Sequence, residues 1–328
     1  MGSQRRPTAV AALRGIESHG ALRLMMIALL GLPACTSSIT PPASASRVSI
    51  GLRPYGVAIS PAGVVYVSQL DGSSVTRVQF GESMSAGLVG VGSTPTDVTF
   101  DPSGATAFVT NQFDRSVGII DVAGARQVQT VAAASTTFRV LVSPDGQRAY
   151  ATESGGRLLV INTSTRALVT TVPLPGPANG LALGLGDSLL YVTTMSGGLS
   201  VINVKTNTVV KTSTLGGTLQ DVVVSPDGGT LYVAHEETGT IDVVNAASGA
   251  VSARFTVDAG VFGLKLAADG RSLWATLPAA GQVIVLDRST GSITRTLLVG
   301  GIPRRIAFDR RTGRAAVSNE AGWVDFLP

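Results

Sequence analysis

Cysteine and histidine are nearly missing from this chain. One cysteine, Cys35, two histidines and only 14% charged residues stand in 328 positions. A single cysteine excludes an intrachain disulfide, so stability has to come from apolar burial. No second His or Cys accompanies His235-Glu236-Glu237, so those residues cannot complete a transition-metal shell and read as a solvated loop. The same scarcity leaves no partner for a Ser-His-Asp triad, and neither a Gly-x-Ser-x-Gly elbow nor a c-haem motif occurs. No catalytic set, metal or cofactor is therefore expected. The apolar run Leu24 to Leu32 is too short for the roughly 20 residues of a membrane span. Excess charge is missing too, once the leader is set aside. The whole chain carries +4, but residues 1–34 hold four Arg and one Glu, which leaves 21 bases against 20 acids. Charge thus gives no argument for a nucleic-acid partner.

What is present is a repeat. The stretch from Asp221 to Gly260 reads as four short strands with their turns, the first ending at Ser225-Pro226-Asp227-Gly228, a composition suited to a tight turn. Such a sheet cannot bury both faces alone and needs copies of itself. An aromatic at the centre of the second strand recurs as Tyr66, Phe108, Tyr150, Tyr191, Tyr232 and Trp274, with Ala316 in the same place of a last copy, at steps of 41 or 42 residues. Turns such as Ser60-Pro-Ala-Gly63 and Ser143-Pro-Asp-Gly146 keep the register, and only Gly184-Leu-Gly-Asp187 blurs it. These turns are hairpins, without the ligand spacing of a calcium loop. Seven units of four strands predict an all-β, seven-bladed β-propeller. The last unit lacks a fourth strand, and Arg47 to Pro54 parallels the Leu297 to Pro303 segment of the preceding unit. An N-terminal strand completing the C-terminal blade would close the ring and protect its edges.

Phe108-Val-Thr-Asn111, Tyr191-Val-Thr-Thr194 and Tyr66-Val-Ser-Gln69, each followed by a short strand, resemble the YVTN-repeat seven-bladed propellers over about residues 47–328. The resemblance implies a secreted, periplasmic or cell-surface protein with a binding or adhesive role, and some relatives bind single-stranded nucleic acid. Ahead of the repeats, Arg5, Arg6, Arg14 and Arg23 precede the apolar run, and Leu32-Pro-Ala-Cys35 follows it. This resembles a bacterial lipoprotein cleavage box, which implies a signal peptide over residues 1–34, acylation of Cys35 and a flexible Ser/Thr/Ala/Pro tether to residue 46. Thr36 after the cysteine resembles the outer-membrane class.

Binding groups commonly sit on loops held by a rigid scaffold. Side chains at the starts of the first strands share one face, and the ring of Tyr55, Asp97, Phe138, Arg139, Asn179, Asp221, Phe262, Arg304 and Arg305 is the expected site. The aromatics supply contact area and the arginines suit anionic groups. Asp97 is expected to pair with Arg139 on the next blade. Lys265, which interrupts an apolar first strand beside the channel, is expected to pair with an acid of a neighbouring blade. The leading expectation is a monomeric, exported, membrane-tethered propeller that binds an envelope protein or an extracellular polymer without catalysis. Two alternatives stay open: a lactonase-like or quinoprotein-like enzyme using the funnel and Lys265, and single-stranded nucleic-acid binding by stacking on Tyr55, Phe138 and Phe262.

Overall fold

The computed structural model describes residues 46–80, 85–257 and 260–328. The lipobox and Cys35 lie outside them. Seven four-stranded antiparallel sheets form the ring, and no helix among the described residues is long and apolar enough to cross a membrane. The first strands of blades one to seven are Pro54–Ile59, Pro95–Phe100, Thr137–Val142, Ala178–Leu183, Leu219–Val224, Leu264–Leu266 and Pro303–Phe308. Blade five continues through Thr230–His235, Thr240–Asn245 and Val251–Thr256, the four strands that its sequence predicts.

Ring closure uses both ends of the repeat region. Ser46–Ser49 pairs antiparallel with Trp323–Leu327, Val48 lying opposite Val324, and becomes the fourth strand of blade seven. The strand begins one residue ahead of the predicted Arg47 and pairs only through Ser49. Beyond it, Ile50 and Gly51 both donate to the Gly322 carbonyl.

Each interface between successive blades holds its own apolar core, made by the alternation along the first strands. Val57 and Ile59 pack back onto Ala307 and Ala316 of blade seven. Ala58 turns the other way, joining Tyr66 with Val98 and Phe100 of blade two. Large residues on one face thus meet small residues and an aromatic on the other, as close packing demands. The Tyr66 and Phe100 rings meet edge to face at 4.7 Å, and Trp274 meets Phe308 at 5.3 Å. Blade seven has Ala316 where the others have an aromatic. Phe326, directly across the strand pair from Ala316, fills that volume and packs on Phe80 at 4.5 Å.

The Ser-Pro-Asp-Gly turns are built alike. Ser143 and the Gln147 amide both donate to Asp145, and Gly146 takes a positive φ of 71°. The serine hydroxyl, then the backbone amide, holds the Asp145 carboxyl below its ordinary value.

Candidate functional site

Six of the seven first strands are irregular where they start. Pairing skips between Pro54 and Val57, Pro95 and Asp97, Thr137 and Val140, Ala178 and Leu181, Leu219 and Asp221, and Pro303 and Ile306. A bulge of this kind bends a strand and re-aims its side chains. The residue just before the first apolar position then forms a ring around the axis, read by blade as Gly56, Asp97, Arg139, Gly180, Asp221, Gly263 and Arg305. The glycines mark where neighbouring strands converge. A Cβ on Gly56 would lie 2.6 Å from the Asp97 Cα, and one on Gly263 would lie 2.4 Å from the Arg304 carbonyl.

Hydroxyls two residues after the aromatic ruler lock this ring. Thr152 Oγ1 accepts from the Arg139 amide at 3.1 Å and donates to the Asn179 carbonyl of blade four at 2.9 Å. Thr276 does the same with Gly263 and Arg304, and Ser318 with Arg305 and, across the closing seam, the Tyr55 carbonyl. The Thr or Ser of the repeat motif is therefore a staple between blades. Blade five has Ala234 in that place, and there the Asp221 carboxylate reaches over instead, accepting from the Leu264 amide at 3.1 Å. Asp97 accepts from the Val140 amide at 3.0 Å in the same manner. Thr152→Val keeps the shape but strands two buried backbone groups, so a loss of about 2 kcal/mol is expected in urea unfolding, with Thr152→Ser near the parent.

Four members of the predicted ring meet across the channel. Arg139 lies 3.5 Å from Asp97, the expected pair, and 3.6 Å from Asp221 two blades away. Arg305 donates to Asp221 at 2.9 Å, again from two blades away. Arg305 and Asp221 are 4% and 2% exposed, so this network is effectively desolvated. Burial alone would lower the Arg139 guanidinium, but the Asp97 and Asp221 carboxylates outweigh it and hold it above its ordinary value. For Arg305, burial and then the Arg139 cation prevail and push it down.

Below this layer the channel widens into a cavity of about 740 Å³, lined along the first strands to Pro61, Pro102, Pro144, Ala268 and Arg310 at the turn face, all exposed there. Ile59, Phe100, Leu141, Val223 and Phe308 make its walls mainly apolar. Lys265 stands on the wall two residues beyond the ring. The expected ion pair is not formed: among the described residues no acid lies within salt-bridge distance of Lys265, because Asp97 and Asp221 already serve arginines and backbone amides. Water reaches Lys265, yet the channel walls surround it, and this burial, reinforced by Arg139, holds the ammonium below its ordinary value of 10.5. A base lowered by folding costs stability while it is charged in the folded state. That cost fades as pH rises from the folded value to 10.5, where the unfolded chain also loses its proton. Lys265→Met should accordingly melt above the parent at pH near 7, with a gap that narrows at alkaline pH.

The other predicted residues lie outside the cavity lining. Tyr55 meets Phe262 edge to face at 5.7 Å across blade seven, and the Arg304 and Arg305 guanidinium groups lie 4.4 and 4.5 Å from the Phe262 ring centre. Phe262 is buried, so its ring is engaged by protein and not presented for base stacking. Burial raises the Tyr55 phenol above its ordinary value against the pull of both arginines. Asn179 is buried and donates to the Leu219 carbonyl and Gln220, while Phe138 is half-buried. Glu320, which the sequence did not single out, clamps Arg304 and Arg53. Its position one residue after Asn319, at the end of a second strand, was the available sign.

His235 also departs from expectation. Glu236 and Glu237 are exposed, but His235 is buried as the last residue of its strand, with Nε2 3.0 Å from Asp242 Oδ2. Burial works against the Asp242 charge, and the His235 and Arg254 contacts outweigh it, holding that carboxyl below its ordinary value. No group of three or more His, Cys, Asp or Glu suited to a metal occurs among the described residues.

No protein-family model matches the chain, and no curated protein does. Among solved structures, Kuenenia stuttgartiensis hydrazine synthase is similar, with a TM-score of 0.79 and 20% identity over 90% of this chain and 99% of that one. In all, 1925 chains of solved structures match. A likeness spread so widely, at that identity, establishes the propeller architecture and selects no activity.

Proposed function

We propose that this chain is an exported binding module of the YVTN-repeat kind, held at the membrane through Cys35 and its tether, which engages an envelope protein or an extracellular polymer through the channel mouth on its turn face. The observation that carries this reading is the channel cavity with charged groups bridging blades at one end. At one end Arg139, Asp221 and Arg305 join blades across the axis, and at the other the cavity meets solvent. A site framed by closed blades is preorganised, so a ligand loses little affinity to ordering the protein. Cross-linking in the native cells, followed by mass spectrometry, tests it with two variants. Lys265→Met with Arg310→Ala should lose a partner that the parent captures, and Phe138→Ala with Arg304→Ala should keep it. The reverse pattern would move the site to the strand-start face, and identical capture by all three would sink the binding reading.

A second reading rests on Lys265. An unpaired amine below its ordinary value, among apolar walls, suits attack on a carbonyl. This is the enzymatic, lactonase-like alternative. Turnover of a lactone that vanishes in Lys265→Ala would support it, and a lactone panel without turnover, or turnover retained in the variant, would remove it.

A further inference from the structure

We infer that the channel floor is a site for a single carboxylate carried on an apolar body, an inference that rests on the channel being the binding site. The floor has more donors than acceptors. Asp101, Asp309 and Arg310 line the cavity at its turn-face mouth, and at the other end Arg139 and Arg305, with Lys265 on the adjoining wall, set three cations against two carboxylates, Asp97 and Asp221. Those carboxylates are already occupied. Asp97 takes the Val140 amide and Arg139, and Asp221 takes the Leu264 and Val222 amides together with Arg305 and Arg139. The cations are not fully used. The Nε atoms of Arg139 and Arg305 are buried without a hydrogen-bond partner, and Arg305 is 4% exposed. Lys265 Nζ has neither an ion pair nor a hydrogen bond among the described residues.

Two guanidinium groups whose buried Nε atoms lack partners, beside an amine that water reaches but no protein acceptor meets, favour an anionic acceptor at this end of the cavity. At this end the excess is one positive charge, so a monoanion neutralises it, whereas a dianion such as phosphate would leave a net negative charge beside the buried Asp97 and Asp221. Above the floor the wall is made mainly of apolar side chains, and the volume is that of a small-molecule site. A carboxylate head on an aromatic or aliphatic body fits both parts. Two sources offer that chemistry, a free organic acid and the C-terminus of a peptide ending in apolar residues.

Calorimetry on the full chain in neutral detergent tests the inference with phenylbutyrate, phenylbutyramide, a Leu-Phe-terminated tripeptide, its amide and inorganic phosphate. At least one acid should bind about tenfold or more tightly than its own amide, and phosphate should bind weakly. Which acid binds identifies the source. Lys265→Met should weaken the acid about tenfold while melting no lower than the parent, so that lost binding is not lost folding. Arg304→Ala, at the other end, should bind as the parent does. Equal binding of acid and amide, preference for phosphate, no binding of either acid, or an unaffected Lys265→Met would overturn the carboxylate assignment. In that case a partner still lost by the channel variant in cells would leave the binding module standing, whereas capture unchanged in both cell variants would remove both readings.

Discussion

Deletion of Ser46–Ser49 is expected to lower the thermal midpoint by about 10–20 °C. The segment is short, but it closes the ring. Val48 is fully buried in the core shared by blades seven and one, which contributes about 2 kcal/mol. Arg47 Nε donates to Asp325 at 2.7 Å, and its guanidinium lies 4.1 Å from the Trp323 ring centre. Asp325 is buried enough that its carboxyl sits above its ordinary value in spite of that partner. Losing the guanidinium leaves this acid buried with less support, at a further cost of about 1–3 kcal/mol. The strand Trp323–Leu327 would also become an open edge able to pair with another molecule. Differential scanning calorimetry and light scattering on the deletion, with Arg47→Met as a milder comparison, measure both effects. An unchanged midpoint would show that blades seven and one hold together without their shared strand.

Asp221→Ala should be the most damaging single substitution at the channel floor, at about 3–5 kcal/mol, because it breaks a buried ion pair from one side. Arg305 would lose its 2.9 Å carboxylate and Arg139 one of its two, and the Leu264 amide would lose its acceptor in the one blade that lacks a Thr or Ser staple. The floor would then hold three cations against one carboxylate. Added acetate should raise the variant's midpoint more than the parent's, since an anion can replace part of what was removed. Urea unfolding with and without acetate, beside Asp221→Asn as the isosteric comparison, gives the answer. A loss below about 1 kcal/mol would mean that the network is incidental to the fold.

The repeat was legible because its ruler faces a crowded core. Tyr66, Phe108 and Tyr150 are essentially fully buried between blades, so few residue types fit and the period survives in the chain. The same pressure explains the alternation of large and small residues along the first strands. Ala316 escaped only in part: the sequence placed it in register, but not that Phe326 fills its volume from the neighbouring strand. The Asp97–Arg139 pair was legible because it joins the same position of consecutive blades. Pairs that skip a blade were not. Asp221 and Arg305 are 84 residues apart and meet only because the ring is narrow at the bulged strand starts. The ion pair expected for Lys265 fails for a related reason, since proximity to two acids in a folded channel does not reveal that both are already taken.

Composition and period by themselves determined the number of blades, the strands within each and the use of the N-terminal segment to close the last, since burial between identical units constrains every copy alike. Only the tertiary structure decided which charges meet, which end of the channel they fill and which cations remain without a partner. Those facts depend on distances across the axis, set by ring closure and by bulges at the strand starts, and no local pattern of residues encodes them.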